Sequence, residues 1–435
     1  MRLRSSYLAL IGVALSGCMA TPAEPQWRVV ISTDAPVPQF GDRLLVEVLY
    51  DDGAECTACR RQFSATEWPL SFGVVPPASG GVRVRARLYR TAITGYDGSP
   101  GSDRVIDALV RMPPADGVTQ VGISLRMRCF GVLSNPSSDS TCDPETGALA
   151  PVKTGAVLAD EASLPEPGTW APAQRVDCAG PVEAGMVCIP GGAFLMGRPD
   201  HLPLADLDPV PEQLVQVSPF ALDADEMSVG AMRALVPTVG APAAKGSGDA
   251  AFCTYTPSPS ADGLSETMPV NCVSLALARS ACKALGKRLP TEAEWEWAAG
   301  NLGLETRYPW GSGDPCSYAI VGHGKAGNEM TASDCAADVP GPRPVRSADD
   351  ETLLGVHDLG GNLSEWIEGD FQPFTDTTCW GPAATLHVDP SCEKHGLPIL
   401  RGGSWARASI FARVGLRGAS TNANANHDTG FRCAK

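Results

Sequence analysis

The sequence predicts an α+β protein in which a β-sandwich-like domain at residues 27–132 precedes a larger domain at residues 183–435 with little regular secondary structure. In the first region apolar and polar residues alternate with a period of two, as half-buried antiparallel strands require. The chain also contains 46 glycines and 38 prolines, which favour turns and short elements over long helices. Its 435 residues are enough for two or more domains.

The alternation is clearest at residues 82–88, where small and branched apolar residues alternate with three arginines. A second alternating run covers residues 121–127, and residues 27–32 and 43–50 predict two further strands. The arginines of the first run are Arg83, Arg85 and Arg87. We interpret them as the solvated face of one strand, with a sugar- or anion-binding face as the alternative.

The N-terminus predicts the location of the protein. Basic residues precede an apolar run at residues 7–15, and a Ser-Gly pair leads directly into Cys18. This pattern is typical of a bacterial lipoprotein signal peptide, residues 1–18, with residues 19–26 as a tether. A lipid on Cys18 would make the membrane a partner and place the protein in the cell envelope, at the outer membrane or cell surface. The alternative is an ordinary secretory signal with a chance cysteine.

Composition excludes several classes of partner. The formal net charge of -15 and the isoelectric point near 4.9 argue against binding to nucleic acid or to an anionic lipid surface through charge. No apolar stretch after the signal region reaches the roughly 20 residues of a membrane helix. The chain is therefore predicted to meet a membrane only through its lipid anchor.

The cysteines predict a disulfide framework. The chain has 15 of them, and without Cys18 an even number remains in a chain predicted to be exported. Cys56 and Cys59 are interpreted as a bridge within a loop, with half a zinc site or a redox pair as the alternatives. The other pairs expected from proximity are Cys129–Cys142, Cys178–Cys188, Cys253–Cys272, Cys316–Cys335 and Cys379–Cys392.

Residues 133–182 are predicted to connect the two domains. They are rich in proline, serine, aspartate and alanine and show no sustained period. Such a segment is either a linker or an extended strap across the next domain. A cysteine near each end is expected to tie it down.

Two helices are predicted in the second domain. Ser274 is a suitable N-cap for the first, whose apolar stripe includes Cys282 and which Gly286 would end. Thr291 and Glu294 form a capping box at the start of the second. These signals explain the segment as scaffold, independently of any catalysis.

Four sequence blocks occur in order in the second domain: residues 186–197 (MVCIPGGAFLMG), 282–300 (CKALGKRLPTEAEWEWAAG), 361–366 (GNLSEW) and 401–433 (RGGSW...GFRC). Together they resemble the formylglycine-generating enzyme (sulfatase-modifying factor) family. The resemblance covers residues 183–435 and implies a compact α/β fold related to C-type lectin-like domains. It also implies a disulfide between Cys282 and Cys433, which match the two cysteines that the family pairs.

The resemblance further implies a calcium site at the GNLSEW loop. In the family the ion is held there by side chains and backbone carbonyls. Here Asp358 and Glu365 would supply side-chain oxygens, and Gly361 and Leu363 would supply carbonyl oxygens, which are the hard donors that calcium prefers. The alternative is a hydrogen-bonded turn without metal. After residues 308–311, where the family has a second calcium loop, the sequence lacks a suitable set of asparagine and aspartate residues.

The copper site of the family is not expected in this chain. In the catalytic enzymes two cysteines, three and eight residues after the serine of RGGS, bind Cu(I), a soft ion that prefers thiolates. After Ser404 these positions hold Arg407 and Ala412, and no cysteine lies between Cys392 and Cys433. We therefore expect no copper and no copper-dependent formation of formylglycine.

Two functions remain open. The first is a non-catalytic lipoprotein whose second domain binds a protein, peptide or glycan; the second is an enzyme of the same superfamily with altered oxidoreductase chemistry. The candidate groove residues are Arg401, Ser404, Trp405, Arg407 and Arg413, and Arg401 and Trp405 suit a buried framework equally well. A titratable cluster or a metal other than calcium near the groove would favour the enzyme. Serine-hydrolase signatures, phosphate loops and an H-x3-H-x-E pattern are absent from the sequence, and no catalytic residue is assigned.

Overall fold

The structure is a computed structural model. It describes residues 24–93, 100, 104–197, 211–324, 334–335, 340–382, 384–394, 396–421 and 423–435. The predicted signal peptide and Cys18 lie outside these residues, as does the tether up to residue 23. Among the described residues, no helix is both long and apolar enough to span a bilayer.

The first region is built from short strands. Their bounds are β1 (Gln26–Thr33), β2 (Arg43–Tyr50), β3 (Arg61–Ser64), β4 (Leu70–Val74), β5 (Val82–Tyr89), β6 (Val105–Arg111), β7 (Val118–Leu125), β8 (Ser140–Cys142), β9 (Leu149–Pro151) and β10 (Ala156–Val157). They form two four-stranded sheets, in the orders β10-β7-β1-β4 and β3-β2-β5-β6, while β8 and β9 pair separately.

The apolar rows of both sheets share one core. Val29 and Ile31 of β1 and Val84 and Leu88 of β5 are fully buried in it, as the alternating pattern predicted. Leu195 from the second region belongs to the same cluster. Because burial of apolar surface is the main favourable term in folding, this shared core joins the two regions.

One pairing differs from the sequence-based expectation. Antiparallel pairing was predicted and is found for β2 with β5 and for β5 with β6. However, β1 and β7 are parallel, with Gln26 opposite Val118 and Thr33 opposite Leu125. A parallel pair needs a long crossover connection, and the strands between them supply it. The alternating pattern records which face is buried but not the direction of the partner strand.

The arginine row of β5 is not a solvated face, so that interpretation was wrong. Each arginine is paired with a carboxylate: Arg83 with Asp139 (3.0 Å), Arg85 with Asp107 (2.5 Å) and Arg87 with Glu47 (2.8 Å). The carbonyls of Ser134 and Pro136 accept further hydrogen bonds from this row. The charges are therefore already neutralised, and an anion-binding face gains no support either.

Residues 133–182 lie against the first region. They contain the β8–β9 pair and β10, which pairs with β7. Further along, the amide of Trp170 donates to the carbonyl of Asp34 (3.0 Å). Val176 then forms a bridge with Gly191 at the start of the second region. In the described residues the segment is therefore an ordered strap.

The second region contains short strands around a few helices. The strands are β11 (Met186–Ile189), β12 (Gly192–Met196), β13 (Gln213–Val217), β14 (Phe220–Asp223), β15 (Ser364–Phe371), β16 (His387–Val388), β17 (Leu397–Arg401), β18 (Arg417–Ala419) and β19 (Thr429–Gly430). The helices are α1 (Val229–Val239), α2 (Leu275–Ala284), α3 (Glu292–Ala299), α4 (Pro315–Tyr318) and α5 (Thr377–Trp380). The central sheet has the order β18-β17-β15-β19. The expected mixture of short helices and strands is thus present.

The predicted helix signals are found at α2 and α3. The Ser274 side chain accepts from the amide of Leu277 and caps α2. Thr291 and Glu294 make both hydrogen bonds of the capping box that begins α3. Every residue of α3 is buried, and its tryptophans pack in the core of the second region. The cap therefore sets the start of a helix whose remaining stability comes from packing.

The structure contains seven disulfides, the same seven pairs that were expected from the sequence. They are Cys56–Cys59, Cys129–Cys142, Cys178–Cys188, Cys253–Cys272, Cys282–Cys433, Cys316–Cys335 and Cys379–Cys392. Six of them close loops of at most 19 residues. Cys282–Cys433 alone among the seven spans a large part of the chain, with a separation of 151 residues, and joins α2 to the C-terminus.

We expect the long-range bridge to contribute the most stability. Replacing Cys282 and Cys433 by alanine should cost about 5 kcal/mol, because the loop is long, whereas the same change at Cys379 and Cys392, 13 residues apart, should cost about 3 kcal/mol. Denaturant unfolding of the non-reduced proteins measures both values. A larger loss in the short-loop variant would contradict this account.

Candidate functional site

The RGGSW segment begins in a buried network of charges. Arg401, at the end of β17, donates to Glu296 and to the carbonyl of Val414 (2.8 Å) and lies over the ring of Trp295. Its side chain is fully buried. Two residues on, the segment turns sharply: a side chain at Gly403 would lie 2.4 Å from the carbonyl oxygen of Gly360. Arg401 is therefore framework that orients the segment, and it does not line an open groove.

Arg417 completes this network. It is 1% exposed and makes a bidentate pair with Glu292, with both contacts at 2.7 Å. Glu292 also lies 3.4 Å from Arg401. Burial raises the pKa of Glu292, but the guanidinium groups of Arg417 and Arg401 outweigh it and hold the pKa below its ordinary value. Glu292 is thus a carboxylate shared by two arginines.

Ser404 and Trp405 are also interior residues. Ser404 is 0% exposed and Trp405 is 2% exposed. The Trp405 ring packs against Phe252 (4.7 Å between ring centroids) and against His427 (5.5 Å). The expectation of an open groove was therefore wrong for Ser404, whereas for Trp405 the burial fits the alternative of a buried framework residue. Burial of the apolar ring explains why Trp405 occupies this position.

Arg407 and Arg413 are the two expected groove residues that reach the surface, and each is partly exposed. Arg407 pairs with Asp428, with 3.1 Å between Nε and Oδ2, and lies over the ring of Phe411. The hydroxyl of Ser404 lies 3.5 Å from the same Asp428 oxygen. The Arg407–Asp428 pair is thus the polar feature that remains at the mouth of the expected groove.

Ala412 lies at the second position that the copper enzymes fill with cysteine. It is 1% exposed and packs in a small apolar cluster with Tyr308, Ala319, Val321 and Cys335. Cys335 is held in its own bridge to Cys316. No thiolate is therefore available beside Ala412 in the described residues, and the methyl group of Ala412 belongs to a core.

His323 is the histidine closest along the chain to this cluster. Its amide donates to the carbonyl of Trp405 (2.7 Å), and the amide of the preceding Gly322 donates to the carbonyl of Arg407 (2.8 Å). Burial lowers the pKa of His323, and the charge of Arg343 lowers it further. A neutral histidine is therefore favoured here, and His323 adds no positive charge to the groove mouth.

The predicted calcium residues lie on one loop and the strand that follows it. Glu365 is buried, and both of its carboxylate oxygens are already occupied: Arg432 Nε donates to one (2.7 Å) and Trp295 Nε1 to the other (2.9 Å). Asp358 Oδ2 accepts from the amide of Arg346 (2.8 Å). Gly361 is packed tightly, because a side chain there would lie 2.9 Å from the amide of Ile320.

Two acidic residues that the motif did not indicate share this site. Glu226 accepts from the side chain of Asn362 (2.7 Å) and from the amide of Leu363 (3.0 Å). Asp350 Oδ2 accepts from the amide of Gly360 (2.7 Å), whereas its buried Oδ1 has no hydrogen-bond partner. No sequence signal pointed to them: Glu226 lies more than 130 residues from the loop in the chain, and Asp350 lies 10 residues before Gly360 but outside the motif.

The acidic cluster consists of Glu226, Asp350, Asp358 and Glu365, with Arg432 as its buried cation. Burial is the largest cause of a raised pKa at all four carboxyls, and for Asp358 the value is about 6. Arg432 lowers these pKa values in part. The four carboxyl groups of the cluster therefore carry more potential negative charge than the single positive charge of Arg432 can neutralise. Nevertheless, within the described residues no group of three or more His, Cys, Asp or Glu side chains is arranged to hold a metal.

Comparison with known proteins identifies the second region. Residues 175–435 match the model of the sulfatase-modifying factor enzyme 1-like domain, and this match covers more than half of the chain. The chain belongs to this family. The matched residues contain the sulfatase-modifying factor-like fold with the RGGSW and GNLSEW segments described above.

Individual relatives of this sulfatase-modifying factor-like chain include active and inactive proteins. It is 33% identical over 172 residues to the inactive C-alpha-formylglycine-generating enzyme 2 of Bos taurus, which is 38% of this chain and 50% of that protein. It is 29% identical over 292 residues to the formylglycine-generating enzyme of Thermomonospora curvata, which is 58% of this chain and 94% of that enzyme. The chain spans about half the length of the inactive proteins of Bos taurus and Mus musculus.

Among solved structures, PvdO from Pseudomonas aeruginosa is similar to this chain. The identity is 23% and the TM-score is 0.43, over 60% of this chain and 98% of PvdO.

We expect loss of Glu292 to be costly and to change the acid stability. Glu292→Gln should cost about 3–5 kcal/mol at neutral pH, because it leaves Arg401 and Arg417 buried without their shared carboxylate. The folded pKa of Glu292 is lowered, so its contribution is present above the unfolded pKa and is lost as pH falls through the folded value. Urea unfolding between neutral and acid pH should therefore show that the variant loses less stability than the parent chain in that acid range.

The matched control is Glu368→Gln, which removes a carboxylate paired with the part-exposed Arg279 (2.8 Å). A surface pair of this kind should cost at most about 1 kcal/mol. Equal losses for the two variants would contradict a structural role for the buried network.

Proposed function

We propose that this protein is an exported, lipid-anchored and non-catalytic binding module for a protein, peptide or glycan. In this proposal the first region is a β-sandwich that carries the sulfatase-modifying factor-like domain, whose fold is related to C-type lectin-like domains. The observation on which the proposal rests is the occupation of the two copper-ligand positions by Arg407 and Ala412. Neither side chain offers a thiolate, the soft ligand that Cu(I) prefers.

The surroundings of both positions support a loss of copper chemistry. Arg407 carries a guanidinium group, which has only hydrogen-bond donors and no lone pair for a metal, and it is engaged by Asp428. Ala412 is closed into an apolar cluster beside a cysteine that is already in a disulfide. A relative named as an inactive C-alpha-formylglycine-generating enzyme matches the chain, which is consistent with this proposal.

An enzyme with altered oxidoreductase chemistry would need a reacting group at the groove. Among the described residues near Arg407, Asp428 is engaged by that arginine and Ser404 is buried. This arrangement favours recognition of a ligand by the Arg407–Asp428 pair over chemistry on it.

We also propose a calcium ion at the acidic cluster, as the family resemblance implies. The excess of carboxylates over Arg432 supports it, because a divalent cation would stabilise ionised groups that burial otherwise destabilises. Since both Glu365 oxygens already accept hydrogen bonds, the ligands would come from Asp350 Oδ1, from Asp358 and from the carbonyls of Gly361 and Leu363. Glu365 would then hold Arg432 in place.

Lipidation at Cys18 would keep this module at the cell envelope. The proposal rests on the apolar run and the Ser-Gly-Cys sequence at residues 7–18. Seven disulfides in the structure suit an oxidising compartment outside the cytoplasm. The outer membrane or cell surface is the proposed site of attachment.

The absence of copper chemistry is directly testable. Purified protein should contain no stoichiometric copper and should form no aldehyde on a cysteine-containing sulfatase-type peptide in the presence of copper and oxygen. Mass spectrometry detects the aldehyde, and the formylglycine-generating enzyme of Thermomonospora curvata is the positive control. Stoichiometric copper or peptide oxidation would overturn the proposal and favour the enzyme.

Calcium should bind with about one equivalent, and Asp358→Asn and Asp350→Asn should each abolish the binding, because each removes an oxygen charge from the cluster. Isothermal titration measures the affinity. Burial raises the pKa of Asp358 to about 6, so affinity should fall as pH decreases through that value and the carboxyl becomes protonated. Asp262→Asn, in an exposed loop, is the control and should bind normally. Unchanged binding in Asp358→Asn, or no binding by the parent chain, would exclude this site.

A further inference from the structure

The N-terminal strand begins at one end of the molecule. Gln26, the first residue of β1, donates its amide to the carbonyl of Gly117 (2.8 Å) and lies opposite Val118 of β7. On the other side of β1, Trp27 lies opposite Val74 of β4. The chain that precedes β1 therefore enters between the start of β7 and the end of β4. We call this part of the surface the tether end.

The tether end exposes apolar side chains on both sides of β1. Val75, directly after β4, is 72% exposed, and Val118 is 51% exposed. Neighbouring strands are about 4.8 Å apart, so the strands that carry them are about 10 Å apart. Single exposed apolar residues are common on protein surfaces, but here two of them flank the point at which the chain enters the fold.

An apolar groove opens at the same end, between the edges of the two sheets. It has a volume of about 430 Å³, and its lining includes Tyr50, Phe63, Phe72 and Val75. The rings of Phe63 and Phe72 are stacked, with their centroids 5.8 Å apart. In the described residues, β3 and β4 are the edge strands that bound it. The groove therefore offers aromatic surface continuous with the exposed Val75.

Charge at the tether end is mixed. Arg61 lines the groove, and among the described residues its guanidinium donates to the carbonyls of Ala58 and Arg60. Glu24 and Asp116 are exposed nearby and carry the opposite charge. Aromatic and apolar residues with a basic rim suit the interface of a bilayer, and the nearby acids predict that anionic lipid is not required.

The tether is too short to place the bilayer elsewhere. Residues 19–25 span at most roughly 25 Å when fully extended. A compact chain of 435 residues has a radius of gyration of roughly 22 Å, so its diameter exceeds the reach of the tether. A bilayer that holds a lipid on Cys18 would therefore meet the molecule at the half where β1 begins.

We propose that the tether end is a lipid-contacting surface. Its groove and the two flanking valines lie in the interface of the bilayer. The proposal rests on the proposed anchor at Cys18 and adds an orientation to it. An acyl chain attaches the protein to the membrane, whereas the apolar surface determines which face of the protein contacts the bilayer. The opposite end of the first region then faces away from the lipid, and residue 175 onward is presented to solvent.

The test uses the full chain reconstituted in phosphatidylcholine vesicles, with and without phosphatidylglycerol. Hydrogen exchange at residues 72–78 and 113–119 should be slowed by the vesicles in both lipid mixtures. The double substitution Val75→Asp with Val118→Asp should abolish this protection while the protein stays attached. The matched control is Val388→Asp with Leu353→Asp, two residues that are 59% and 77% exposed in the second region, and it should retain the protection.

A second form of the experiment separates this surface from the anchor. The chain from residue 19 onward, with an N-terminal histidine tag, is attached to vesicles that contain a nickel-chelating lipid. If the natural chain does not attach to vesicles but the tagged chain shows the protection, the result contradicts the proposed anchor at Cys18 and supports the lipid-contacting surface. If vesicle-attached protein shows no slowing of hydrogen exchange at these segments, the proposal of a lipid-contacting surface is wrong. Protection that appears without vesicles and rises with protein concentration indicates a second copy of the chain as the occupant and also overturns it.

Discussion

A row of buried charges across the central sheet of the second region supports the rest of that region. Glu365, Arg401 and Arg417 occupy paired positions on β15, β17 and β18, and Glu292 and Glu296 of α3 close the row from one face. Removing one member would leave another charge buried without compensation, which costs more than an exposed pair contributes. The register of the strands, the position of α3 and the course of the RGGSW segment all depend on this row.

The family fold is therefore present in a chain that has Arg407 and Ala412 after Ser404. The charge network orients the chain up to Gly403, and Arg407 and Ala412 follow where the enzymes of the family carry cysteines. Scaffold and chemistry depend on different residues, so the family fold does not by itself fix the activity. Arg407, the first of these two residues, is partly exposed and pairs with Asp428.

The loop at residues 358–363, which contains the start of the GNLSEW segment, shows which site residues a local motif can indicate and which it cannot. The family resemblance implied Asp358 and Glu365 as site residues, and both are buried. Glu226, which shares the site, and Arg432, which compensates it, come from distant parts of the chain, and Asp350 precedes the loop by a few residues without belonging to the motif. The pKa shifts of these groups arise from burial and from the charges of the neighbouring groups. A local sequence pattern indicates neither cause.

The sequence by itself determined the local features: the caps of α2 and α3, the disulfide pairs and the apolar faces of the strands. These depend on residue type, short spacing or a shared family motif. Only the tertiary structure decided that β1 and β7 are parallel, that Arg83 pairs with Asp139, and that both Glu365 oxygens are occupied. The physical reason is that partners far apart in the chain are selected by burial and charge compensation in three dimensions, which a one-dimensional pattern does not contain.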